Sequence, residues 1–149
     1  MGIINWFKND LNSEERALTR DLVSVAIADH EFSEEEQKTI LEICSQEGIS
    51  TTELMNSIRD KKAGAKVLHT LDERKRYLLH LIRLMSVDGN YTFLELHLIE
   101  VIAKEIEVSP AQILSFIIED VKDSNISKDD CITILDQFIS YFIASGIRL

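Results

Sequence analysis

One proline and five glycines in 149 residues are too few for a fold built on tight turns, so an all-α fold is expected. Cysteine is scarce too. Cys44 and Cys131 belong to no CxxC or Cys/His pattern, which removes the usual zinc and redox signatures. Both fall on apolar-periodic stretches and read as buried free thiols in a reducing cytosol; a disulfide would require the fold to bring them together. Basic residues are the rarer charge. Sixteen against 26 acidic residues leave a net charge of −10, which argues against nucleic acid and anionic membranes and leaves a soluble protein partner or a cation. No run approaches the ~20 apolar residues that would cross a bilayer. The start, Met1 to Phe7, lacks a basic n-region, and Trp6 stands where myristoylation wants Ser or Thr. Glycine-rich phosphate loops, GxSxG and HExxH are missing. His30, His69, His80 and His97 show no paired-ligand spacing, and Ser, Cys and His carry no triad signature. No enzyme is expected.

Two stretches resemble each other. Val87-Asp88-Gly89-Asn90-Tyr91-Thr92-Phe93-Leu94-Glu95 echoes Ala28-Asp29-His30-Glu31-Phe32-Ser33-Glu34-Glu35-Glu36, and the two lie 59 residues apart. The same offset pairs Leu22 with Leu81, Ile40 with Ile99, Ile49 with Val108 and Ser50 with Ser109. The chain therefore reads as one helical unit written twice, each copy holding an acidic turn.

Apolar periodicity and start signals place the helices. Ala17, Leu18, Leu22, Val25, Ala26 and Ile27 mark a helix over residues 13–28. Ser33 and Glu36 form a capping box opening a helix to about Glu47, with Ile40, Leu41, Ile43 and Cys44 inward and Gly48 as the stop. Ser50 with Glu53 opens another. Residues 59–76 hold seven of the sixteen basic residues and read as a connector. The second copy runs from about Asp72 to Val87 with Leu78, Leu81, Ile82 and Met85 inward. Thr92 with Glu95 then opens a helix burying Leu98, Ile99, Ile102 and Ile106. Ser109, Pro110 and Gln112 start the next. Ser127 with Asp130 opens a last helix to about Ala144, bounded by Gly146, whose buried stripe would be Ile134, Leu135, Phe138, Phe142 and Ile143. The expected fold is a single-domain bundle of about seven helices. A chain this long can bury roughly 68–70% of its unfolded surface.

The acidic turns gather oxygen donors at alternate positions: Asp88, Asn90, Thr92 and Glu95 in one, Asp29, Glu31, Ser33 and Glu36 in the other. Calcium loops collect hard ligands in this manner. An EF-hand is excluded, because its glycine would fall on Phe93 or Glu34 and its bidentate glutamate on Ile99 or Ile40. A smaller, more hydrated site for Ca²⁺, Mg²⁺ or Mn²⁺ passes that test. The competing account needs no metal: the aspartates close Asx turns and the glutamates complete capping boxes.

The doubled pattern of Ala or Val, Asp, two positions, an aromatic, Ser or Thr and a glutamate three residues later resembles the tellurite-resistance TerB-like family. That family also supplies the amino-terminal part of a membrane-anchored DnaJ-type co-chaperone. The resemblance covers roughly residues 14–118. It implies an all-helical fold, an acidic face that binds divalent metal, and a non-catalytic role in stress-linked assemblies. The family's Asp matches Asp29 and Asp88, its Glu matches Glu36 and Glu95, and its glycine is kept at Gly89 but replaced by His30. The expectation is one TerB-like domain over residues 1–149. It holds a pseudo-repeat over 14–58, a basic connector over 59–76, a second pseudo-repeat over 77–118 and a C-terminal helix over 127–145. Such a protein would be cytoplasmic, would bind another protein, and would sense or interact rather than catalyse. A scaffold with no metal site, docking a partner through Trp6 and Phe7 or the outer side of the last helix, is the alternative.

Overall fold

The computed structural model describes residues 18–20, 22–23, 26–27, 30–46, 68–85, 89–123 and 125–149, with the backbone alone at 44 and 46. The amino-terminal apolar cluster, the helix opened by Ser50, Gly48, the first half of the basic connector, and Asp29 and Asp88 lie outside these residues. Everything regular in the described residues is helical, and no strand occurs among them. Residues at 18–20, 22–23 and 26–27 are helical. Five further helices follow: α1 (Glu34–Gln46), α2 (Leu71–Met85), α3 (Phe93–Glu105), α4 (Pro110–Lys122) and α5 (Lys128–Ala144).

Each start has a chemical cause. At α1 the Ser33 hydroxyl accepts the Glu36 N–H at 3.1 Å while the Ser33 N–H donates to Glu36 Oε1 at 3.0 Å. Thr92 with Glu95 and Ser109 with Gln112 build the same reciprocal pair at α3 and α4, the latter with Pro110 in the first turn. Ser127 accepts the Asp130 N–H at α5. Such caps contribute about 1 kcal/mol each and satisfy amides the first turn leaves unpaired. The α2 start was placed one residue late and inside the connector. The helix opens at Leu71 on a Thr70 cap that accepts the Glu73 N–H at 3.1 Å, so Arg74, Lys75 and Arg76 are helical residues.

Left-handed residues close several of these elements. His30 has φ 60°, and the Glu31 N–H reaches back to the Ala26 carbonyl at 3.0 Å. Glu107 has φ 61° and the Val108 N–H donates to the Ala103 carbonyl at 2.8 Å; Gly146 has φ 71° and the Ile147 N–H donates to the Phe142 carbonyl at 2.9 Å. All three make the six-to-one bond of a Schellman cap.

The helix α3 is the centre. It buries Leu96, Leu98, Ile99, Val101, Ile102 and Ala103, most of its circumference, as a helix with neighbours on several sides must. It packs against α2, α4 and α5, while α4 lies along α5 and also touches α2. Leu78, Leu81, Ile82 and Met85 of α2 are buried as expected, with Ile40, Ile113, Ile117, Phe138 and Phe142 joining the same core. Burying each such side chain contributes about 1.5–3 kcal/mol. The α5 stripe differs from expectation in one place. Ile143 is 70% exposed, and Tyr141 is buried instead. Phe138 and Phe142 set the inward direction, and Ile143, one position on, is turned about 100° away from Phe142. Cys131 is a buried free thiol.

Candidate functional site: two corners and the cleft beside them

The first corner is drawn into the molecule by charged groups. Glu36 divides its oxygens: Oε1 takes the Ser33 amide, and Oε2 lies 2.6 Å from His97 Nδ1 on α3. Burial pushes the Glu36 carboxyl up, but the His97 and Ser33 hydrogen bonds and the His97 charge together outweigh it and hold it below its ordinary value. Phe32, almost fully buried, sets its ring edge against His97 at 5.2 Å between centroids. Glu31 receives Lys104 Nζ of α3 at 2.8 Å. The Gln37 side-chain amide donates to the Phe32 carbonyl at 3.1 Å.

The second corner is held by neutral groups. Gly89 has φ 78°, the conformation glycine adopts without a Cβ penalty. Gln137 of α5 clasps the turn, donating from Nε2 to the Gly89 carbonyl at 2.6 Å and accepting the Tyr91 N–H on Oε1 at 2.8 Å. The Tyr91 hydroxyl donates to the Ile82 carbonyl at 2.7 Å. Glu95, only 4% exposed, holds the Thr92 N–H on Oε1 at 2.7 Å.

Of the eight residues proposed as donors, Ser33, Glu36, Thr92 and Glu95 are therefore the two helix caps. Glu31 is an ion-pair partner of Lys104, and Asn90 is exposed at the second turn. Asp29 and Asp88 lie outside the described residues. Among the described residues no three His, Cys, Asp or Glu side chains converge on a common point as metal ligands would. At the first corner His97 engages Glu36 and Lys104 engages Glu31, the carboxylates of that donor set among the described residues. At the second, Glu95 Oε1 takes the Thr92 N–H and Thr92 Oγ1 takes the Glu95 N–H.

Next to the first corner lies a cleft of about 550 Å³, lined by Glu31, His97, Glu100, Lys104, the Glu107–Pro110 turn, Gln112 and Ile147. Glu100 is its distinctive group. Burial pushes its carboxyl up against the opposing charges of His97 and Lys104, with Glu31 adding repulsion. Burial followed by the Glu100 charge raises the Tyr141 phenol of α5. Glu100, Lys104 and Gln137 carry no motif in the sequence, and His97 there shows only the lack of a paired-ligand spacing. The steps from Phe93 to His97, Glu100 and Lys104 are four, three and four residues, which puts them on one helical face and was the available signal. Gln137 had none, because its partners are backbone atoms far away in the chain. No family model matches this chain, and no curated protein and no solved structure compared with it is significantly similar.

Proposed function

We propose that the chain is a non-catalytic interaction and sensing module of the TerB-like kind, with about seven helices in two pseudo-equivalent halves, serving a stress-linked assembly in the cytoplasm. The observation that carries this is register. The bounds of α1 and α3, Glu34–Gln46 and Phe93–Glu105, differ by 59 residues at both ends, the offset that aligns the two acidic stretches. Each helix follows a left-handed residue, His30 or Gly89, and a capping box. Buried positions correspond as well: Leu22 with Leu81, Val23 with Ile82, Ile40 with Ile99 and Ile43 with Ile102. Two halves joined by His97–Glu36 and Lys104–Glu31 resemble a module that presents surfaces, and the carboxylates at the corners serve as helix caps and cross-links.

A weak divalent-cation site belongs to this proposal at the second corner, where Asp88 and Glu95 would be the donors. Thermal unfolding tests it. Millimolar Ca²⁺, Mn²⁺ or Mg²⁺ should raise the Tm, because a ligand at 100 times its Kd adds about 2.7 kcal/mol. The double variant Asp88→Asn, Glu95→Gln should lose that shift. A shift retained in the variant would place the cation elsewhere. No shift in either protein would favour the metal-free scaffold, which the capping role of Ser33, Glu36, Thr92 and Glu95 already supports.

A further inference from the structure

Phe93, His97, Glu100 and Lys104 form a continuous stripe along α3, exposed at its two ends and half-buried between them. Phe93 is 61% exposed, and His97, Glu100 and Lys104 line the cleft. Across from them stand Glu31 and the apolar groups Val108, Pro110 and Ile147. The cleft is thus an apolar floor with carboxylates at its wall, unlike a solvated acidic face.

Charge inside it is unevenly matched. Lys104 is spent on Glu31 at 2.8 Å, and His97 on Glu36 at 2.6 Å. Glu107, at the rim, has among the described residues one long contact, of 3.7 Å to Arg74. Among the described residues half-buried Glu100 has no ion-pair partner, although the charges of His97 and Lys104 act on it from nearby. A carboxylate removed from water gains most from a charge-assisted donor brought to it.

We propose that this cleft receives a basic side chain, Arg or Lys, from an extended segment of a partner protein, its charged head on Glu100 and its methylene stem along the apolar floor. Three observations favour that occupant. The chain's net charge of −10 draws basic partners and repels acidic ones. Phe93, exposed on the same face of α3 as His97 and Glu100, offers an aromatic surface, and such a surface suits a planar guanidinium. A space of about 550 Å³ holds one or two side chains, which fits a peptide. The inference rests on the interaction-module reading and names the partner's chemistry for it.

The test is an NMR titration of the ¹⁵N-labelled full chain with the capped peptide Ala-Arg-Leu-Arg-Ala, and with its citrulline counterpart, which keeps shape and loses charge. Saturating shifts are expected at amides of 97–110 and 145–148, with the citrulline peptide silent. Glu100→Gln should weaken binding about tenfold or more and Phe93→Ala several-fold, while Glu42→Gln, on the outer face of α1, should change nothing. Phe93 is exposed, so its variant keeps the fold if Glu100→Gln should not. Equal binding by both peptides would overturn the proposal, as would weak shifts spread over the acidic surface and indifferent to Glu100→Gln. Saturable binding mapped elsewhere would overturn the cleft and leave the module reading intact. Arginine amide binding as tightly as the peptide would assign the cleft to small cations instead.

Discussion

At the first corner, Ser33 and Glu36 start a helix whose anchor to the rest of the molecule is electrostatic, through His97 and Lys104. At the second, Thr92 and Glu95 start a helix of the same length, yet the anchor is an uncharged amide, Gln137, gripping main-chain atoms. The local chemistry is shared and the tertiary support is not. A capping box is satisfied within four residues, so it can be copied with the sequence. What the corner leans on depends on its neighbours, and these differ: α3 beside the first, α5 beside the second. Charged anchors respond to pH and salt, whereas amide anchors respond to packing.

The largest contrast should come from the glutamines. Gln137→Ala removes two hydrogen bonds from a partly buried turn and should cost about 2–3 kcal/mol, measured by urea unfolding. Gln37→Ala removes one from the first corner, to the Phe32 carbonyl, and should cost about 1 kcal/mol or less. Equal losses would erase the distinction drawn between the corners.

The turn residues come next. Gly89→Ala should cost about 1–2 kcal/mol through backbone strain alone, because an added Cβ would meet Thr133 Cγ2 at an ordinary 3.8 Å. His30→Gly relieves strain at φ 60° while loosening the unfolded chain, so a small gain of up to about 0.5 kcal/mol is expected. Thermal unfolding of the two variants should therefore move Tm in opposite directions. A loss on His30→Gly would mean that the imidazole contributes more than the strain costs.

The smallest effect concerns acid. The Glu36 carboxyl sits below its ordinary value of 4.5 in the fold, so its pairing stabilises the protein above that pH and the contribution disappears as pH falls through the lower, folded value. Urea midpoints taken between about pH 7 and pH 3 should fall less steeply in Glu36→Gln. The difference should stay under about 1 kcal/mol for a group this near the surface. An unchanged acid slope would show that the Glu36–His97 contact carries no net electrostatic stabilisation.

How much was legible follows from the range of each interaction. The starts at Ser33, Thr92, Ser109 and Ser127, the stop at Gly146 and the inward faces of α2 and α3 depend on neighbours within a turn or two, and the chain displays them. Thr70 with Glu73 was equally local and was passed over because surrounding basic residues suggested a connector. Ile143 is misplaced because α5 turns its core face through Phe138, Tyr141 and Phe142, and the next residue points to solvent. The Glu36–His97 pair spans 61 residues and the Gln137–Tyr91 bond 46, and no periodicity encodes such partners. Glu100 reads as an ordinary surface acid until Tyr141 and the first corner close around it.

The grip of Gln137 on Gly89 and Tyr91 also has a timing. During synthesis the Thr92 cap and the turn before it emerge well ahead of the glutamine that will hold them. A nascent chain halted before residue 137 would carry the full local signal for that bend with its main-chain groups still open to water. Released chains truncated on either side of Gln137 should therefore differ sharply in protease resistance of the second half.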